Sequence, residues 1–199
     1  MRYRNREQWH IHDERVLAAM DAVPRERFVL PEDTYQAGVD NPLPIGFGQT
    51  ISQPFIVAYM TEALRVSSRH KILEIGTGSG FQTAVLNQLS IHIYTVEKVP
   101  QLADKAAALF TELGYRGIHL RTGNGRGGWP EEAPFDRIIV TAAPVRIPDA
   151  LLAQLAPGGR MIIPVGPKDG VQHLCLVKKS AAHEIQIKKL MAVRFVTLV

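Results

Sequence analysis

A single cysteine and the lack of any long apolar run set the first limits on this chain. Cys175 stands alone in the apolar stretch VQHLCLV. No disulfide can form within the chain, so Cys175 reads as a buried strand residue and the expected setting is reducing and cytoplasmic. No run reaches the roughly 18 apolar residues that cross a bilayer, and the opening MRYRNREQWHIHDERV lacks the apolar segment of a secretory signal. A soluble protein without a membrane partner is expected. Repeats, low-complexity tracts and runs of about five or more like charges are missing too. The 23 basic and 19 acidic residues, for a formal net charge of +4, are spread along the chain. That spread hints only weakly at polyanionic partners, and a solvated surface explains it equally well.

What is present suffices for one core, since a chain of 199 residues can bury roughly 70% of its unfolded surface. From about residue 70, short β-branched runs alternate with helical patterns. KILEIG (71–76), HIYTVE (92–97), GIHLRTG (117–123), FDRIIVTAA (135–143) and GRMIIPVG (159–166) read as strands. GFQTAVLNQL, VPQLADKAAALFTELG and PDALLAQLAPGG read as helices, the last two closing on glycines suited to a C-cap. This alternation predicts an α/β fold with a doubly wound, mostly parallel sheet. The last stretch, HLCLVKKSAAHEIQIKKLMAVRFV, predicts an antiparallel pair at the sheet's edge.

Before residue 70 the pattern changes. DERVLAAMDAVPRERFVL predicts a helix with an apolar stripe at Val16, Leu17 and Met20, stopped near Pro24. A proline- and glycine-rich connection follows, and a second helix starts near Gln53. Residues 1–69 are thus expected to form a helical cap on a 70–199 α/β core, the whole making one domain.

In LEIGTGSG a strand ends at Ile75 and enters Gly76-Thr77-Gly78-Ser79-Gly80, after which a helix begins. Glycines there permit a tight turn and a close ligand approach. The next strand ends in Glu97, about 20 residues on, where a carboxylate can accept both hydroxyls of a ribose. A dinucleotide site would read G-x-G-x-x-G, but Phe81 stands where the third glycine would fall, so the spacing suits S-adenosylmethionine. TGNGRGGWP (122–130) adds a third strand tip where adenine would lie, with a plain loop as the alternative. Trp129 and Phe135 either wall the cofactor or pack the core. His10 and His12 have no partners at ligand spacing, so no metal is expected.

Upstream, PIGFGQTISQPFIV (44–57) contains Ser52 before Gln53-Pro54 and an apolar run. From spacing alone, Ser52 reads as a helix N-cap, and a helix N-terminus is also an anion site. Arg194, in the terminal strand, either meets a peptide backbone or is solvated.

The blocks VPRERFV (23–29), PLPIGFGQTISQP (42–54), ILEIGTGSGFQTAVL (72–86), FDRIIVTAA (135–143) and VRFVTLV (193–199) together resemble the protein-L-isoaspartate O-methyltransferase family. That resemblance implies a Rossmann-like methyltransferase core, with residues 1–69 carrying a substrate loop. It implies transfer of a methyl group from S-adenosylmethionine to the α-carboxylate of isoaspartyl residues in damaged proteins and peptides, leaving S-adenosylhomocysteine. Carried over by position, Gly76, Thr77, Gly78 and Ser79 surround the methionine part. Glu97 takes the ribose with Lys98 beside it, and Asn124 and Gly125 form the adenine turn. Gln49, Thr50 and Ile51 belong to a loop closing over the cofactor. Ser52 falls on the active-site serine, and Ile51, Ser52, Val193 and Arg194 face the substrate. One departure is Asn124, where the family usually has an acid; a neutral acceptor there implies weaker cofactor affinity. The chain also stops at Val199, so family contacts further along are expected to be missing.

A carboxylate acceptor is already ionised at neutral pH, since free carboxyl groups titrate at about 3.3 to 4.3, so no strong base is required. Positioning is the catalytic task, with reacting atoms roughly 3 to 3.5 Å apart, and Ser52 is expected to orient the acceptor rather than attack. The protein is expected to act as a monomer without a stable nucleic-acid partner. Two alternatives stay open. Asn124 and the glycine-rich GNGRGG would suit a homologue that binds cofactor or damaged peptide with weak or no turnover. The basic pI raises a nucleic-acid methyltransferase, although Thr141-Ala142-Ala143-Pro144 is not the N-P-P-Y type of base-binding tetrapeptide and no stacking platform is evident.

Overall fold

The computed structural model describes Tyr3 and residues 6–198; Val199, the last residue of the VRFVTLV block, lies outside them. Helix α1 (Glu14–Ala22) opens the fold, its N-cap Asp13 accepting from Arg15 N, with Val16 and Met20 buried. The strands β1 (Leu43–Gly46) and β2 (Gln49–Ile51) form an antiparallel hairpin, followed by α2 (Pro54–Leu64). Then come β3 (Ile72–Ile75), α3 (Phe81–Asn87), β4 (Ile93–Glu97), α4 (Pro100–Glu112) and β5 (Ile118–Thr122). The chain closes with β6 (Phe135–Val140), α5 (Asp149–Gln154), β7 (Leu155–Val165), β8 (Gln172–Lys179) and β9 (Ile185–Val193).

Seven strands make one sheet in the order β5-β4-β3-β6-β7-β8-β9. The first five neighbours pair in parallel, and β8 and β9 add the expected antiparallel pair at the edge. Strand β3 is buried along its whole length, as expected of a central parallel strand covered on both faces. Ile72, Ile93, Ile139 and Ile162 meet α2 and α3 on one face, while Leu73, Ile75, Ile138 and Met161 meet α5 on the other. Helix α4 ends as its sequence predicts. Gly114 takes φ +74°, its N–H bonds Thr111 O at 3.2 Å, and Tyr115 N bonds Phe110 O at 2.9 Å while the two rings pack edge to face.

Two local expectations are corrected. PDALLAQLAPGG does not run as one helix: α5 stops at Gln154, because Pro157 disfavours helical geometry at Ala156 and cannot continue the ladder. Gly158 and Gly159 instead sit in β7 where its register against β6 slips. Helix α2 packs directly on the sheet, Met60 and Leu64 lying over Ile139 and Ile162. The proline- and glycine-rich connection before it contains the β1–β2 hairpin. Finally, Ser52 is not the α2 N-cap, a position held by Gln53, which makes no side-chain cap bond. Asp40 takes over from a distance, accepting from Phe55 N at 2.8 Å through Oδ1 and from Gln53 Nε2 at 3.0 Å through Oδ2.

Capping by Asp40 has a measurable consequence. Asp40→Ala is expected to cost about 1 kcal/mol in urea unfolding, and Ser52→Ala well under half of that. Equal costs would return the capping role to Ser52.

Candidate active site

The sheet reverses its winding between β3 and β6: the chain proceeds from β3 outward to β5, then returns to the other side of β3. Ligands of open α/β sheets lie at such a reversal, outside the carboxyl ends of the strands. Here the tips of β3, β4 and β6 and the chain's last residues surround a cleft of about 800 Å³, roofed by the β1–β2 hairpin.

At the tip of β3, the turn Gly76 to Ser79 lines the cleft. Gly76 has φ +93°, and an added Cβ would come within 2.3 Å of Thr141 Oγ1, so this position admits only glycine. Thr141, just past β6, seals the reversal: its N–H bonds Ile75 O at 2.9 Å and its hydroxyl lies 2.7 Å from Gly76 O. From the tip of β4 come Glu97 and the exposed Lys98. Glu97 is 6% exposed, and both of its oxygens are pinned: Oε2 accepts from Gly78 N at 2.8 Å and Oε1 from Val99 N at 2.9 Å. A carboxylate has about four acceptor positions. Two therefore remain for a cis-diol, and the turn amide that fixes the acid belongs to the glycine motif itself.

The hairpin contributes Gln49, Thr50 and Ile51, and Ser52 follows at the entry to α2; all four line the cleft. Gly125 lines it as well, whereas Asn124 is exposed and turns its amide oxygen to Arg126 N at 2.9 Å. Val193 and Arg194 are not brought to the cleft, since Val193 ends β9 beside the α2 face and Arg194 is exposed. The terminal segment reaches it instead through Val196, Thr197 and Leu198, because Ala143 N bonds Val196 O at 2.7 Å and Leu198 N bonds Ala143 O at 3.0 Å. The sequence reading also missed Phe81, Gln82, Thr141 and Ala142 as lining residues. Thr141 and Ala142 had a readable signal, standing just past the carboxyl end of a parallel strand.

Pinned acid, glycine turn and apolar walls from Val57, Phe81, Val96 and Val99 form a donor set that fits S-adenosylmethionine. Among the described residues, no group of three or more His, Cys, Asp and Glu is placed to hold a metal. A family model described as Protein-L-isoaspartate(D-aspartate) O-methyltransferase (PCMT) matches residues 2–199.

The chain belongs to that family.

It is 53% identical over 189 residues to a Protein-L-isoaspartate O-methyltransferase 1 from Anaeromyxobacter sp., covering 94% of this chain and 89% of the relative. It is 54% identical over 183 residues to a Protein-L-isoaspartate O-methyltransferase of Gloeobacter violaceus, covering 92% and 89%. Among solved structures, a putative Plasmodium falciparum protein-L-isoaspartate O-methyltransferase in complex with S-adenosyl-L-homocysteine superposes with a TM-score of 0.81 at 25% identity, covering 97% and 94% of the two chains. A second protein-L-isoaspartate O-methyltransferase gives a TM-score of 0.84 at 26% identity; this chain spans 62% of its length.

A second carboxyl group stands behind the glycine turn. Glu74, fully buried in β3, accepts from Thr83 Oγ1 and from Thr95 Oγ1, the latter at 2.8 Å, and Thr95 in turn contacts Thr77 Oγ1 at 2.7 Å. Burial, reinforced by the charge of Glu97 and opposed by the two hydroxyl donors, pushes its pKa up to about 8. The folded protein therefore holds a proton that the unfolded chain releases near the ordinary 4.5. Its contribution to stability is complete below about 4.5 and is lost as pH rises through about 8. Urea unfolding from pH 5 to 9 should show wild-type stability falling and Glu74→Gln flattening that fall; parallel curves would contradict a neutral Glu74.

Proposed function

We infer that Ser52 orients the acceptor while this chain transfers a methyl group from S-adenosylmethionine to the α-carboxylate of L-isoaspartyl residues in damaged proteins and peptides. What supports the assignment of Ser52 is that it lines the same cleft as the glycine turn while the capping of α2 is left to Asp40. When bound, S-adenosylmethionine supplies an activated methyl group on sulfur. Glu97 holds the ribose hydroxyls with the lone pairs left over from Gly78 N and Val99 N. Thr77 keeps the turn in place through Thr95 and Glu74. The acceptor carboxylate arrives ionised, so no side chain here has to remove a proton, and none of the cleft's groups is arranged as a nucleophile with a base. Ser52 donates its hydroxyl proton in a hydrogen bond to that carboxylate and sets its direction. Apolar residues around it exclude water and strengthen the bond.

The reading extends to one methyltransferase domain over 1–199, acting as a cytoplasmic monomer without a nucleic-acid partner or metal. The dispersed charge and the single buried Cys175 support it. Cofactor contacts by Gln49, Thr50, Ile51, Lys98 and Gly125 belong to the same reading. Asn124 enters it through its amide, whose oxygen keeps one lone pair beside the bond from Arg126 N.

Incubation with labelled S-adenosylmethionine should give methyl ester on an isoaspartyl peptide and none on the matching aspartyl peptide. Ser52→Ala should lower kcat/KM for the isoaspartyl peptide by about 10- to 100-fold, with Kd for S-adenosylhomocysteine unchanged. An unchanged kcat/KM would remove Ser52 from the mechanism.

A further inference from the structure

A charged side chain behind the cleft spends both of its terminal nitrogens on the main chain of the acceptor segment. Arg25, in a 3-10 turn shortly after α1, is 1% exposed. Its guanidinium donates through Nη1 to Ala37 O at 2.9 Å, and through Nη2 to Asn41 O at 3.0 Å and Ser52 O at 3.1 Å. Those three carbonyls bracket the stretch that contains Asp40 and the β1–β2 hairpin. The guanidinium carbon also stands 5.8 Å from the ring centroid of Phe81, which begins α3 and walls the cleft. Among the described residues no carboxylate forms an ion pair with it.

A buried cation that no carboxylate touches, with Asp40 favouring its charge only from farther off, is costly. Burial lowers the Arg25 pKa to about 10, which leaves it charged at neutral pH. Apolar packing alone would fill the same space more cheaply. What no apolar residue supplies is a planar fork of donors that reaches carbonyls from three separate points of the chain, and a lysine ammonium offers no such plane. The cost is therefore tied to where those carbonyls are held, and one of them belongs to Ser52.

We propose that Arg25 is a positioning residue for methyl transfer: by clamping Ala37, Asn41 and Ser52 against Phe81, it sets the place of the Ser52 hydroxyl relative to the glycine turn. The proposal rests on Ser52 orienting the acceptor. It assigns Arg25 no contact with cofactor or substrate, so its removal acts on turnover of the acceptor and spares the cofactor.

The test pairs Arg25→Lys with Arg25→Ala in the full chain. For Arg25→Lys, kcat/KM for an isoaspartyl peptide at saturating S-adenosylmethionine should fall about 10- to 100-fold, the scale of a misplacement of about 1 Å. Kd for S-adenosylhomocysteine should stay within about twofold. In Arg25→Ala, low millimolar guanidinium should restore part of the lost kcat/KM, and equal sodium or methylammonium chloride should not. Either an unchanged kcat/KM in folded Arg25→Lys or a cofactor Kd that worsens in step with kcat/KM overturns the proposal. So does an absence of guanidinium rescue in folded Arg25→Ala; if that variant does not fold, Arg25→Lys decides alone. Ser52→Ala separates the two readings. If it is silent by itself, the role of Ser52 falls. If it is damaging but fully additive with Arg25→Lys, the action of Arg25 through Ser52 falls, whereas a double variant no worse than Ser52→Ala supports it.

Discussion

The reversal of winding between β3 and β6 is the constraint on which the site depends. A parallel sheet that only extended in one direction would cover its strand ends with successive crossovers. Here α3 and α4 leave β3 toward one edge, and the chain re-enters on the other side at β6, so the tip between them stays open. Thr141 bonds that seam closed at the level of Ile75 and Gly76. The ladder then carries the geometry outward: Gly76 N bonds Val96 O at 2.8 Å, and Gly123 N bonds Glu97 O at 2.8 Å. Turn, acid and third strand tip therefore move as one piece, and precision on the cofactor side is a property of the sheet.

Two carboxyl groups on successive strands show how position alone divides their chemistry. Glu97, at a strand tip, meets two main-chain N–H donors and stays an acceptor for hydroxyls. Glu74, in the middle of β3, meets only threonine hydroxyls inside the core, and burial holds it neutral. Two charges so close would each raise the cost of the other. A neutral Glu74 adds no second charge behind the cleft, while the threonines still link the inner carboxyl to the turn. The same residue type thus serves as ligand in one strand and as framework in the next.

What was legible in the sequence follows from which interactions are local. Strand–helix alternation, the glycine turn and the acid at the end of β4 are encoded within short windows, and the parallel core and cofactor cleft were read from them. The C-cap of α4 was readable because Gly114 and Tyr115 act within one turn. The misread elements depend on distant partners. Ser52 has the local pattern of an N-cap, but Asp40 outcompetes it from across the hairpin. Arg25 carries no local signal in VPRERFV, because its meaning lies in carbonyls at 37, 41 and 52. Val193 and Arg194 were placed at the site by resemblance, whereas the pairing of Ala143 with the chain end brings residues 196–198 there.

The acceptor side is built on different terms from the cofactor side. The β1–β2 hairpin shares no ladder with the main sheet. It is tied down by the guanidinium of Arg25, the carboxylate of Asp40 and the buried side chains of Leu43, Ile45 and Ile51. Its tip reaches over α4, where Phe47, in a left-handed conformation and 52% exposed, has Lys105 Nζ 5.9 Å from its ring centroid. An exposed cation–π contact of this kind contributes about 0.5 to 1 kcal/mol, far less than a strand's share of a parallel sheet. The contact of the hairpin tip with α4 therefore shares no bond with those that position Glu97 or the glycine turn. The half that faces the polypeptide is thus anchored separately from the half that faces the cofactor. The inner anchor is the Ser52 carbonyl, held at 3.1 Å by the buried guanidinium of Arg25.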